Sequence, residues 1–247
     1  MKKWVFISGA SSGIGKATAL KLHQQGCGVI LNGRRKERLE ELKNQLGENA
    51  RTACFDVTQP EAVEKWRGAN GDLVRGVSVL VNNAGLALGK EPVQSARLED
   101  WFQMIDTNLK ALLHLTKVFI PSLLEHRGHL VNVGSVAGRW SYPGGSVYNA
   151  TKFGVRALSE AFRMDLLGTG VRVTNVEPGM VETEFSKVRL GDEEEARKVY
   201  QGMTPLQAED IAETIAWCLD RPAHVNIQEL VVFPTDQGSV RDIARKN

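Results

Sequence analysis

Seven short apolar or β-branched runs recur along this chain, at 4–7, 27–31, 52–55, 77–81, 129–133, 171–176 and 228–233. Between most of them lie stretches with helical spacing, at 14–25, 35–46, 98–126, 146–167 and 208–220. Strands that read as continuous apolar runs are buried on both faces, and their alternation with helices predicts a mainly parallel sheet with helices on both sides. At 247 residues, with no Pro/Gly/Ser linker, composition shift or internal repeat, the chain reads as one doubly wound α/β domain over 1–247. The longest interruption of the pattern is 178–206, which carries the acidic run Asp192 to Glu195. A loop of that length beside the carboxyl ends of strands is a candidate substrate lid, over 180–206.

Charge and cysteine content exclude more than they specify. Lys and Arg number 31 against 29 Asp and Glu, for a net charge of +2, so no field favours nucleic acid or a membrane surface. The expected partner is a small-molecule substrate, with no nucleic acid and no membrane. Cys27, Cys54 and Cys218 form no Cys-x-x-Cys pair and read as reduced, buried small hydrophobes. The apolar run that follows Met1-Lys2-Lys3 is far shorter than the ~18 residues that span a bilayer. No signal-type cleavage pattern follows it, and the expectation is a cytoplasmic protein. No metal site is expected.

The chemistry begins at Ser8-Gly9-Ala10-Ser11-Ser12-Gly13-Ile14-Gly15, where the first strand ends and the first helix begins. Glycines there let the backbone turn tightly, so that free amides at a helix N-terminus meet a pyrophosphate. The spacing is Gly-x-x-x-Gly-x-Gly rather than the general Gly-x-Gly-x-x-Gly, and a plain tight turn is the alternative. After the second strand, an acidic residue would bind a ribose 2′-hydroxyl, whereas arginine accommodates a 2′-phosphate. This chain has Asn32-Gly33-Arg34-Arg35, which favours NADP(H), against the alternative of a solvated charge pair at a helix start. Asp56, followed by Val57, is either an acceptor for an adenine amino group or a turn residue.

Tyr148 and Lys152 stand four apart in a helical segment, so both side chains share one face. Ser135 follows the fifth strand, Asn108 lies in the preceding long helical stretch, Asn82-Asn83-Ala84-Gly85 follows the fourth strand, and Pro178-Gly179 the sixth. With these motifs in order, the sequence resembles the short-chain dehydrogenase/reductase family over essentially its whole length. Ser8 stands where the family usually has threonine. The resemblance implies a Rossmann-type, seven-stranded parallel sheet of order 3-2-1-4-5-6-7. It implies a catalytic tetrad of Asn108, Ser135, Tyr148 and Lys152, and a homotetramer built through the helices at 98–126 and 146–167. It also implies a cofactor site of Ser8, Gly9, Ser11, Ser12, Gly13, Ile14, Gly15, Arg34, Arg35, Asp56, Val57, Asn82, Asn83, Ala84, Gly85, Tyr148, Lys152, Pro178, Gly179, Val181 and Thr183.

Carbonyl reduction needs a proton donor at the developing alkoxide, and the reverse oxidation needs a base; Tyr148 suits both. Bringing a phenol from a pKa of ~10 to ~7 takes roughly 4 kcal/mol, for which the Lys152 ammonium has the right sign. Ser135 is expected to polarise the substrate oxygen, and Lys152 to hold the nicotinamide ribose. Asn108 is expected either to secure a relay water or simply to satisfy buried backbone groups.

Within the family, Asn83 to Gly89, Glu177-Pro178-Gly179, Thr183 to Ser186 and Pro222 to Asn226 resemble the NADP-dependent 3-hydroxy acid dehydrogenases. That subgroup acts on serine and similar short β-hydroxy acids, of the 3-hydroxypropionate and 3-hydroxyisobutyrate type, or the matching semialdehydes. Sulfoacetaldehyde reductases, 3-oxoacyl carrier-protein reductases and a silent NADP(H) sensor are the alternatives. Arg189 is the first choice to bind the small anion, with a surface pairing to the acidic run as its alternative; Arg139 is the second choice.

Overall fold

The computed structural model describes residues 3–246; Met1, Lys2 and Asn247, and with them the head of the N-terminal reading, lie outside the described residues. The strands are β1 (Trp4–Ile7), β2 (Gly28–Gly33), β3 (Ala50–Cys54), β4 (Val77–Asn82), β5 (His129–Val133), β6 (Arg172–Pro178) and β7 (Glu229–Val232). They form one parallel sheet in the order β3-β2-β1-β4-β5-β6-β7. The helices are α1 (Gly13–Gln24), α2 (Lys36–Leu46), α3 (Pro60–Ala69), α4 (Gly71–Arg75), α5 (Leu98–Ile105), α6 (Ala111–His126), α7 (Ser146–Asp165), α8 (Glu184–Leu190), α9 (Glu193–Tyr200) and α10 (Ala208–Leu219).

Period-two alternation divides the strand side chains between two apolar layers. Val5, Ile7, Val29, Leu31, Val79 and Val81 pack with Leu22 of α1, Leu39 of α2 and Ile211 of α10. Phe6, Ile30, Leu80 and Leu130 face the other way, against Val63 of α3, Val74 of α4 and Leu115, Phe119 and Leu123 of α6. Both faces being covered is why these strands read as unbroken apolar runs.

The strand order reverses between β1 and β4, which opens a crevice at their carboxyl ends. Ser8 closes the seam behind it: its backbone N donates to Val81 O at 3.1 Å, and its Oγ accepts from Asn83 N at 3.0 Å and Ala84 N at 2.9 Å.

Three readings need revision. The stretch 57–76, left without a helix above, carries α3 and α4; Pro60 opens α3, a position that needs no N–H partner. The helical stretch 98–126 is α5 and α6 joined by a π-helical turn, Asp106–Lys110. The loop 178–206 contains α8 and α9. Thr183 Oγ1 caps α8 by accepting from Phe185 N, and Asp192 Oδ1 caps α9 by accepting from Glu195 N. The acidic run is thus the first turn of a helix, where its charge is favourable.

Among the cysteines Cys218 is buried as expected, but Cys54 is exposed at the end of β3. On the helices expected to build a tetramer, Leu112, Leu115, Val118, Phe119 and Val155 are buried within the chain. Among the described residues, no helix is long and apolar enough to cross a membrane. Nor does any group of three or more His, Cys, Asp and Glu among them have an arrangement that could hold a metal ion.

Candidate active site

A cavity of about 810 Å³ opens over the carboxyl ends of the central strands. One side is the turn into α1, where Gly9 (φ +68°) and Gly13 (φ +50°) take conformations that residues with a Cβ rarely adopt. Gly15 is required for a different reason: a Cβ there would strike Gly9 O and lie 2.6 Å from Asn83 Nδ2. Ser12, at the N-cap of α1, makes no side-chain capping bond, so the α1 N-terminus presents uncapped amides toward the cavity. That is a donor set suited to a pyrophosphate.

The second side carries the arginines. Arg35 donates to Ser11 Oγ from Nε at 3.1 Å and from Nη2 at 2.9 Å, and to Ser12 Oγ from Nη2 at 2.6 Å. Arg34 is largely exposed and lies 3.5 Å from Asp56 Oδ2. Asp56 Oδ1 accepts from Thr58 N at 2.9 Å and Thr58 Oγ1 at 2.8 Å, which is the turn role weighed above. Two guanidinium groups beside serine hydroxyls and free amides fit a phosphate-bearing dinucleotide.

At the far end, Ser135, Tyr148 and Lys152 line the same cavity. Ser135 Oγ accepts from Ala137 N at 3.1 Å, capping the short 3₁₀ turn Val136–Gly138. Lys152 Nζ donates to Val133 O at 2.9 Å. Burial lowers the Lys152 ammonium to about 8, with Glu177 opposing. Burial also drives the Tyr148 phenol upward, aided by Tyr142, while Ser135 and Arg189 pull it down. The lowering toward neutrality expected from Lys152 is absent in the chain alone, where Lys152 Nζ stands 5.9 Å from the phenol ring centroid. Desolvation is the largest influence on the phenol and outweighs the opposing pull of Ser135 and Arg189.

Asn108 lies behind the wall, in the π-helical turn. Its Oδ1 accepts from Leu86 N at 2.9 Å, and its Nδ2 donates to Leu86 O at 2.8 Å and Thr151 Oγ1 at 3.0 Å. These bonds satisfy buried backbone, the second of the two roles weighed for it.

Arg189 reaches the cavity from α8. Its Nε donates to Gly89 O at 3.1 Å and its Nη1 to Tyr142 Oη at 3.0 Å. The surface pairing considered for it is absent: the acidic run is met instead by Lys187 on Glu193, and by Lys90 and Lys198 on Glu195. Arg139 does not line the cavity. It is spent on Glu177 and Glu229, with Arg156 completing the cluster on Glu229 at 3.0 Å.

Of the other residues expected at the site, Ile14, Val57, Asn83, Ala84, Gly85, Pro178, Gly179, Val181 and Thr183 line the cavity with Gly9, Ser11, Ser12 and Gly13. Ser8, Gly15 and Asn82 do not. Ser8 and Gly15 shape the turn behind it, and Asn82 Nδ2 is buried on Thr116 Oγ1 at 3.1 Å and Asn132 Oδ1 at 3.0 Å. Tyr142, Phe185, Tyr200 and a C-terminal set of Gln237, Val240, Ile243 and Arg245 also line the cavity. None of these was singled out as a site residue. Phe185 lies within the stretch Thr183 to Ser186 and Tyr200 within the loop 180–206, both marked in the sequence, whereas Tyr142 and the C-terminal set had no such signal.

The described geometry has counterparts among known proteins. The short chain dehydrogenase family matches residues 3–194. The NADP-dependent 3-hydroxy acid dehydrogenase YdfG of Salmonella typhimurium is 49% identical over 236 residues, covering 94% of this chain and 95% of that protein. Serine 3-dehydrogenase of Agrobacterium fabrum is 46% identical over 238 residues, covering 96% of each. A solved closed form of serine dehydrogenase complexed with NADP+ superposes with a TM-score of 0.93 at 44% identity, over 99% of this chain and 100% of that one. With a family match over most of its length and near-half identity to full-length relatives, this chain belongs to the short-chain dehydrogenase/reductase family.

Proposed function

We propose that the protein is an NADP(H)-dependent oxidoreductase acting on a short anionic β-hydroxy acid or the matching semialdehyde. The observation that carries this reading is the convergence of Ser135, Tyr148, Lys152 and Arg189 on the cavity whose other end bears Arg34 and Arg35. The relatives named for 3-hydroxy acids and serine support it. When bound, the nicotinamide supplies or accepts the hydride.

The chain's own residues handle the proton and the anion. Ser135 Oγ donates to the reacting oxygen and polarises it. Tyr148, held protonated by burial, gives its proton to the developing alkoxide in reduction and recovers it in oxidation. Lys152, anchored on Val133 O, would hold the ribose hydroxyls of the bound cofactor and supply positive charge beside the phenol. Asn108, tied to Leu86 and Thr151, is a positioning residue that fixes the wall and the helical turn before Lys152. The Arg189 guanidinium takes the carboxylate with the fork geometry that suits it.

We also place the enzyme in the cytoplasm as a homotetramer. The apolar side chains left exposed on α6 and α7, Leu113, Leu124, Phe153 and Met164, support association through those helices. Light scattering at the mass of four chains is expected; a monomer at working concentration contradicts it.

The test of the function is a panel of L-serine, 3-hydroxypropionate, 3-hydroxyisobutyrate, isethionate and an acetoacetyl thioester, each with NADP(H) and NAD(H) in the suitable direction. Turnover of the hydroxy carboxylates with NADP+ is expected. Activity confined to the thioester, or to NAD(H), overturns the reading.

A further inference from the structure

Arg35 serves two elements at once. On one side it donates to Ser11 Oγ and Ser12 Oγ in the glycine turn. On the other its Nη1 donates to Glu184 Oε2 at 2.6 Å, and the same carboxylate takes Arg38 Nη1 on Oε1 at 2.7 Å. Glu184 is the first residue of α8, and the Thr183 side chain before it lies over Gly13. The first turn of the lid is therefore fastened to the phosphate side of the cavity by a carboxylate. A carboxylate oxygen at that distance from a guanidinium stands where a phosphate oxygen would bind, because both anions use the same donor fork.

We propose that Glu184 is a specificity-determining residue, which competes with the cofactor's 2′-phosphate for Arg35 and so limits how strongly the protein prefers NADP(H) over NAD(H). The inference rests on the NADP(H) reading above. Arg34, Arg35 and Arg38 carry three positive charges, and Asp56 and Glu184 carry two negative ones facing them. A phosphate that engages Arg35 must therefore either share it with Glu184 or displace the carboxylate. A cofactor without the 2′-phosphate meets no such competitor, since its hydroxyl is uncharged. The carboxylate also gives the lid a partner on Arg35 whenever the phosphate leaves, so binding of the phosphate and fastening of the lid draw on one group.

The experiment is titration calorimetry of NADP+ and NAD+ binding to the wild type and to Glu184→Gln. The amide keeps the shape of a side chain that is 41% exposed, and so calls for no repacking. Glu184→Gln is expected to tighten NADP+ about tenfold, the equivalent of ~1.4 kcal/mol, while NAD+ changes by less than about twofold. A ratio of the two Kd values that stays unchanged, or moves toward NAD+, overturns the competition. NAD+ bound as tightly as NADP+ by both the wild type and Glu184→Gln overturns the cofactor reading as well, so the two failures are told apart.

Discussion

Arg189 of α8 and Tyr148 of the long helix α7 meet across the cavity, with the guanidinium carbon 5.9 Å from the phenol ring centroid. Arg189 also stands 5.5 Å from the Tyr142 ring centroid while donating to its hydroxyl. It is thus held by two aromatic faces, one of them the Tyr148 phenol. Arg189→Met is expected to lower kcat/KM for 3-hydroxypropionate roughly 100-fold, as for the loss of a charge-assisted contact of ~2–3 kcal/mol. The methyl ester, which lacks the anion, is expected to change less than about fivefold. Steady-state kinetics on the two compounds checks this; equal losses on both place Arg189 in a purely structural role.

Lys152 gives a signature in stability that needs no substrate. Burial lowers its ammonium to about 8, against an ordinary value of 10.5. Between those values the unfolded chain binds more protons at this site than the folded one, so stability from this group rises with pH across that window. The full effect is on the order of 3 kcal/mol. Denaturant melts from pH 8 to 10 are expected to show this rise in the wild type and not in Lys152→Met, once the slopes of the two proteins are compared.

Arg139 is the case in which spacing misled. It follows Ser135 by four residues, yet its guanidinium turns into the Glu177–Glu229 cluster, where Glu177 is fully buried. Arg139→Met leaves that carboxylate without its main partner. It is expected to cost about 3–5 kcal/mol, or roughly 10 °C in Tm for a domain of this size. Thermal melts check it; a Tm within about 2 °C of wild type contradicts the account of the cluster.

The parts of this protein that were legible in the sequence share a physical reason. The doubly covered strands wrote themselves as apolar runs, and the glycine turn was readable because Gly9 and Gly15 leave no room for a Cβ. Arg34 and Arg35 were readable because they stand just past the end of β2, where a basic pair favours a phosphate-bearing ligand. The helix α3 was obscured by a mean polarity that leaves Val63 as its buried residue. The C-terminal wall, Gln237 to Arg245, was obscured because it lies past the last strand in irregular backbone with no period to read. The unfavourable setting of the Tyr148 phenol was not legible either. The pattern Tyr-x-x-x-Lys shows which charge stands near but not how dry the pocket is, and here burial sets the direction of the phenol's shift.

The central claim is that Tyr148 passes the proton in an NADP(H)-dependent hydride transfer to or from a short hydroxy acid. Its most direct test follows NADPH formation from 3-hydroxypropionate in the wild type and in Tyr148→Phe, with NADP+ affinity measured on the same samples. Turnover by the wild type, a fall of at least about 10³-fold in kcat for the phenylalanine variant, and NADP+ affinity within about threefold are predicted. Turnover that survives the substitution at near wild-type rate contradicts the account.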